Sequence, residues 1–304
     1  MSGKRLGALA LAAILLTAGP ARAADKQAIN DAIEKGVRKL KNLQGSNGTW
    51  AHVQIGLTAL CGLTLLECDV PVDDLSVQRA AGAVRAAATE TDDTYSIALC
   101  ILFLDRLGEP VDQALIESLA LRLLAGQTTQ GDWSYKCPKA PAEEQRRLTA
   151  LVDKRKDEGR PKELPKESGP KTTKDLSPEI RDQLDHLDRL RAAAAASRGG
   201  MKITGDNSNT QFAVLGLWVA RRRGLPVDAA LGETEKYLRA SQEPAGGWPY
   251  STVLGLQMPS PAAANMQSSS PAMTCAGLLG LGLAYGAWNE AALRTDPKKE
   301  PGKP

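Results

Sequence analysis

Three stretches of the chain are apolar on nearly every helical face and close with the same turn. They are GLTALCGLTLLECDVPVD (Gly56 to Asp73), YSIALCILFLDRLGEPVD (Tyr95 to Asp112) and FAVLGLWVARRRGLPVD (Phe212 to Asp228). An apolar helix with no clear polar face is one buried on most sides. AMTCAGLLGLGLAYG (Ala272 to Gly286) is a fourth such helix. Between them run AINDAIEKGVRKLKNLQ, VQRAAGAVRAAA, ALIESLALRLLAGQ and AALGETEKYLRASQ, whose charges gather on one face as in helices that meet solvent. Period-two alternation is nowhere sustained. The pattern therefore predicts an all-α chain in which an outer, charged helix alternates with an inner, apolar one, four times over.

The connections from outer to inner helix carry a second repeat. LQGSNGTW, GQTTQGDW and SQEPAGGW each contain Q-x-x-x-G-x-W: Gln44, Gly48 and Trp50; Gln127, Gly131 and Trp133; Gln242, Gly246 and Trp248. Aromatics make up only 4% of the sequence, so three Trp at one spacing need a shared cause. A structural clasp accounts for them. Gly supplies a C-capping position with positive φ, Gln satisfies carbonyls at the end of the outer helix, and Trp folds back over the turn. The second repeat has no clasp and offers Thr89 to Tyr95, TETDDTY, in its place.

Residues 1–23 combine Lys4 and Arg5, an apolar run and Ala21-Arg22-Ala23, the pattern of a secretory signal peptide cleaved after Ala23. A secreted or periplasmic location follows, and no stretch of the remainder reads as a transmembrane anchor. Loss of Lys4, Arg5 and Arg22 leaves 35 cations against 35 acids, a neutral balance that argues against nucleic acid as a partner. The repeats divide into residues 24–138, holding repeats 1 to 3 in part, and 205–294, completing repeat 3 and adding repeat 4. Between them residues 139–204 read as a charged, largely disordered insertion with one helix, in which Ile180, Leu184, Leu187 and Leu190 share a side. Residues 295–304 read as a disordered tail, and Pro249 to Pro271 as a long loop. Cys61, Cys68, Cys100, Cys137 and Cys275 read as free thiols rather than a disulfide framework.

The clasps, set between outer and buried inner helices, resemble the QW repeat of the prenyltransferase and squalene oxidase family. That family includes terpenoid cyclases and protein prenyltransferase β subunits, and YLRASQEPAGGW (Tyr237 to Trp248) is the closest of the three copies. The resemblance implies an α/α toroid. About four hairpins are fewer than a closed ring usually contains, which leaves an open arc, or a ring closed by the inserted helix or by a second copy in a homo-oligomer.

Chemistry is less constrained. Glu90 to Thr94 resembles the cyclase acid motif, so by that resemblance Asp92, with Asp93 beside it, would be the catalytic pair. A capping role reads the same residues more simply, because Asp206 to Thr210 occupies the equivalent place before the third inner helix. Only His52 and His186 are present, in no spacing that suggests zinc, so neither metal nor cofactor is expected. Tyr135 and Tyr250 each follow a clasp Trp by two residues, and with Tyr95, Asp206 and Asn209 they are candidate ligand-binding residues. The expected function is a non-catalytic binder of an apolar, isoprenoid-like ligand or a protein segment. A cyclase- or prenyltransferase-related enzyme and a structural scaffold are the alternatives.

Overall fold

The computed structural model describes residues 25–50, 54–158, 173–196, 205–251 and 268–295. The expected signal peptide, the tail, most of the loop before Pro271 and parts of the insertion lie outside these residues. Among the described residues the chain is all-α, with ten helices and no sheet. They are α1 (Lys26–Asn42), α2 (Ile55–Glu67), α3 (Leu75–Ala87), α4 (Thr94–Leu107), α5 (Gln113–Gly126), α6 (Ala142–Glu158), α7 (Pro178–Ala196), α8 (Asn207–Arg222), α9 (Asp228–Ser241) and α10 (Pro271–Thr295).

Two compact units divide the chain at Leu43. The first contains α1, which Asp25 caps by accepting from the Gln27 N–H, while Lys39 and Lys41 occupy the last turn, where cations oppose the helix dipole. No residue of α1 is buried.

In the second unit the apolar helices pack in sequence: α2 on α4, α4 on α8, and α8 on α10. Their shared faces form the core, with Leu65, Leu66, Ile97, Ile101, Phe103, Leu104, Val214 and Leu217 almost fully buried. The more polar helices lie against them, α3 on α2, α5 on both α4 and α8, and α9 on α10.

Two sequence expectations need correction. α5 was expected to face solvent, yet Leu115 to Leu124 are all buried, Glu117 and Arg122 included. The cause is α7, which packs on α5 through a stripe containing Ile180 and Leu184. Within residues 139–204 the charge pattern pointed to one helix, and the structure describes two. α6 buries Glu144 and Leu148 and lies on α3, so Leu148, Leu151 and Val152 supply an apolar edge that the surrounding charge hides in the sequence.

Beneath α6 sits a fully buried ion cluster. Arg85 on α3 donates to both oxygens of Asp112 at 2.6 Å and to Glu109 at 3.0 Å, and Gln78 also donates to Glu109. Asp112 is the last residue of one Pro-Val-Asp turn, so the repeated turn has a second task here.

Candidate functional site

The site is built where the apolar helices begin, and the clasps set its walls. Gly48, Gly131 and Gly246 have φ of 84°, 95° and 89°, the left-handed region that glycine enters without steric cost. They close tight turns rather than cap helices: each glycine N–H donates to a carbonyl three residues earlier, Gly45, Thr128 or Glu243. The Gln role also differs from expectation. Each Gln Nε2 donates to the carbonyl of its own clasp glycine, at 3.0, 3.3 and 2.9 Å, and not to the end of its helix. Two of them reach further, Gln44 to the Ser76 carbonyl at 2.9 Å and Gln127 to the Ala230 carbonyl at 2.8 Å. Trp133 and Trp248 are completely buried, and their Nε1 groups donate to the carbonyls of Leu123 and Leu238 ten residues back. The backbone N–H groups of Trp50, Trp133 and Trp248 donate to Thr58, Thr210 and Thr274 in the first turns of α2, α8 and α10.

At the start of α4, Asp93 accepts from the N–H and hydroxyl of Ser96 at 2.9 and 2.8 Å. At the start of α8, Asp206 accepts from the Asn209 N–H and from its side-chain amide, both at 2.7 Å. Both acids are helix caps in which carboxylate oxygens take up N–H groups that the helix leaves unpaired. Asp92 is different. It is partly exposed and ion-paired with Lys136 at 2.5 Å, and that hydrogen bond is the main reason its carboxyl lies below the usual range. A group that protonates an alkene must stay neutral near neutral pH, so this geometry is opposite to the one the cyclase resemblance requires of Asp92.

The three expected tyrosines come together, Tyr95 from the first turn of α4 and Tyr135 and Tyr250 from two connections. The Tyr95 hydroxyl pairs with Ser208, and its ring lies 4.8 Å from Phe212. The hydroxyls of Tyr135 and Tyr250 are 2.6 Å apart, with Tyr135 more than half exposed. Burial raises the Tyr95, Tyr250 and Asp206 pKa values, and for Tyr250 the bond to Tyr135 and the nearby Asp206 charge add to it. Tyr95 and Tyr250 are therefore neutral hydroxyls at neutral pH. Asn207 and Asn209 are buried beside them, and the side-chain oxygen of each accepts no hydrogen bond from the described residues. Neither unfilled acceptor is deducible from sequence.

A cleft of about 660 Å³ opens next to this cluster, lined by Thr49, Gln54, Glu90, Asp92, Asp93 and Lys136 among others. Lys136 carries no local signal in the sequence and arrives by way of the second clasp, Gln127 to Trp133. The Cys137 N–H donates to the Asp92 carbonyl and the Thr94 N–H to the Tyr135 carbonyl, so residues 135–137 strap the clasp-less second turn. No three His, Cys, Asp or Glu side chains among the described residues are grouped to hold a metal ion. The five cysteines are free, and burial pushes the Cys100 thiol up to about 12 and Cys137 to about 11, which leaves both unreactive.

Comparison of the chain with protein-family models, with curated proteins and with solved structures finds no match. The resemblance to QW repeats rests on the sequence motif itself.

Proposed function

We propose that the chain is an open run of QW-type helical hairpins, an incomplete α/α toroid, that binds an extended protein segment in the cleft at the head of α2 and α4. The observation that carries this reading is the Asp92–Lys136 pair, which makes the one cyclase-like acid a charged lining group. The cleft supports binding because its walls offer hydroxyl, amide and carboxylate groups to an extended backbone. Among the described residues that line the cleft, the acids Glu90, Asp92 and Asp93 outnumber the cation Lys136, a balance that favours a segment carrying Lys or Arg. With residues 1–23 as an export signal, the partner would be met outside the cytoplasm.

Selection of a displayed library of random peptides on the purified protein tests this. Enriched peptides should carry basic residues, and Glu90→Lys should abolish their binding with the fold intact. Equal binding by the variant would refute the reading.

A second reading, an apolar ligand, is favoured by the Tyr95–Phe212 ring contact and the exposed Tyr135. Its check is mass spectrometry of small molecules that co-purify with wild type and are lost from Tyr135→Ala. The enzymatic alternative is tested by incubation with linear isoprenoids. A cyclised product made by wild type and not by Asp92→Asn would overturn the binding proposal.

A further inference from the structure

The packing of α2 on α4 repeats in that of α4 on α8, and among the described residues the outer faces at both ends of the series are exposed. Thr58, Thr210 and Thr274 receive the clasp Trp N–H groups and so fix a common register for α2, α8 and α10, with Ile97 at the same place in α4. In that register Gly62 of α2 corresponds to Ile101 of α4, and Phe103 of α4 to Gly216 of α8. The contacts correspond too. A Cβ on Gly62 would lie 2.6 Å from the Phe103 ring, and one on Gly216 would lie 3.5 Å from both Ile101 Cδ1 and Ala98 Cα. α2 and α4 thus each offer a forward face, Ala98 and Ile101 in α4, to a rear face on the next helix, marked by Gly216 in α8.

The forward face of the last helix, α10, is Cys275 and Leu278, and both are exposed, Leu278 at 57%. The rear face of the first, α2, holds Thr64 in the place of Gly216. Thr64 is exposed, as are Leu57 at 45% and Leu60 at 42% on the same side of the helix. These are the two halves of one interface, left open at opposite ends of the series.

The clasps are open at the same end. Gly48 and Gly131 are pressed against the backbone carbonyls of Arg79 and Glu233 on a following polar helix, whereas a Cβ on Gly246 would meet none of the described residues within 4 Å. Gln44 and Gln127 each bond to the first turn of that following helix. The Gln242 amide, which is exposed, lies against its own clasp turn.

We propose that identical chains associate head to tail, the Cys275–Leu278 face of one chain's α10 packing on the Leu57–Thr64 face of α2 in a second copy. The occupant is a second copy because only the rear face of α2 continues a pairing that α4 and α8 already make. A head-to-tail contact uses different surfaces on its two sides and closes into a ring when the rotation allows. The proposal stands on the repeated helix contacts and does not depend on the ligand reading.

By equivalence with Ala98 and Gly216, Cys275 of one copy lies against Thr64 of the next, within disulfide reach. The test is Thr64→Cys, oxidised with diamide, which takes up the two thiol hydrogens. The expected result is covalent pairs of chains in Thr64→Cys and none in Thr64→Cys/Cys275→Ser. A disulfide within single chains, or none at all, would overturn the proposal. Leu278→Arg lies on the exposed face and keeps the fold, so its circular dichroism and melting should match wild type. Its native mass should fall from an assembly to one chain, with the dissociation constant raised at least ~10-fold. Wild type that is a single chain at micromolar concentration, or an unchanged assembly in Leu278→Arg, would also refute it.

Discussion

Replacing Trp133 by Ala tests the clasp most directly. The side chain is wholly buried, its Nε1 donates to the Leu123 carbonyl at 2.7 Å, and its backbone N–H is held by Thr210. A Trp of this kind buries about 150–250 Å². At roughly 25 cal/mol per Å² that corresponds to about 4–6 kcal/mol, an upper bound because the unfolded chain already hides some of the surface. Measured truncations of large buried aromatics cost about 3–5 kcal/mol, and the two routes overlap near 4 kcal/mol. Trp133→Phe separates packing from hydrogen bonding. It keeps a ring in place but leaves the Leu123 carbonyl without its donor, a loss of about 1–3 kcal/mol. Urea unfolding monitored by circular dichroism is the assay, with the denaturant slope checked for constancy so that the midpoint reports stability. Trp50 is only half-buried, so Trp50→Ala should cost clearly less. If Trp133→Ala cost under ~1 kcal/mol, the clasp would be ornament and the argument from its burial would fail.

Arg85→Ala should destabilise the protein by about 3–5 kcal/mol, because it removes the Arg85 charge from the buried Glu109 and Asp112 carboxylates; chemical denaturation measures this. Asp92→Asn should cost no more than ~1 kcal/mol at neutral pH, since the Lys136 pair is partly exposed, and the difference should shrink in high salt. The Asp92 carboxyl is lowered on folding, so its contribution is present above its ordinary pKa and disappears as pH falls through the lowered one. Thermal melts of wild type and Asp92→Asn should therefore converge in acid. Ile180→Ala should cost about 2–5 kcal/mol, the range for a fully buried Ile, if α7 is part of the core layer; an unchanged midpoint would return the insertion to the status of a dispensable loop.

The helices that make the core were legible because their residues are apolar on all sides and Pro-Val-Asp marks their ends. The clasp residues were legible from spacing, since a glycine forced to positive φ and a Trp in register recur three times. What the Gln does was not, because its second partner, Ser76 or Ala230, belongs to another helix and leaves no local trace. α5 was misplaced for a similar reason: its own charges pointed to solvent, and the helix that covers it comes more than fifty residues later. Arg85 looked like an ordinary charge on an alanine-rich helix, and only the fold brings Glu109 and Asp112 to it. In the site, the capping of Asp93 and Asp206 could be read from their place before apolar runs. The ion pair that fixes the charge of Asp92 could not, because Lys136 is 44 residues away.

The strap across the clasp-less turn also bears on the order in which the protein forms. Synthesis delivers the amino terminus first, and the turn at Gln44 to Trp50 can be closed by residues that have already emerged. The turn before α4 cannot, because Asp92 and Thr94 draw their backbone partners from Cys137 and Tyr135. Bringing these together closes a loop of some forty residues, whose entropy must be lost before the contact returns anything. The head of α4 therefore waits for the second clasp and the residues just after it, and a chain halted anywhere between residues 95 and 134 holds a half-finished repeat with its apolar helix uncovered. Such a pause is the interval in which a nascent chain is most exposed to aggregation and most in need of a chaperone.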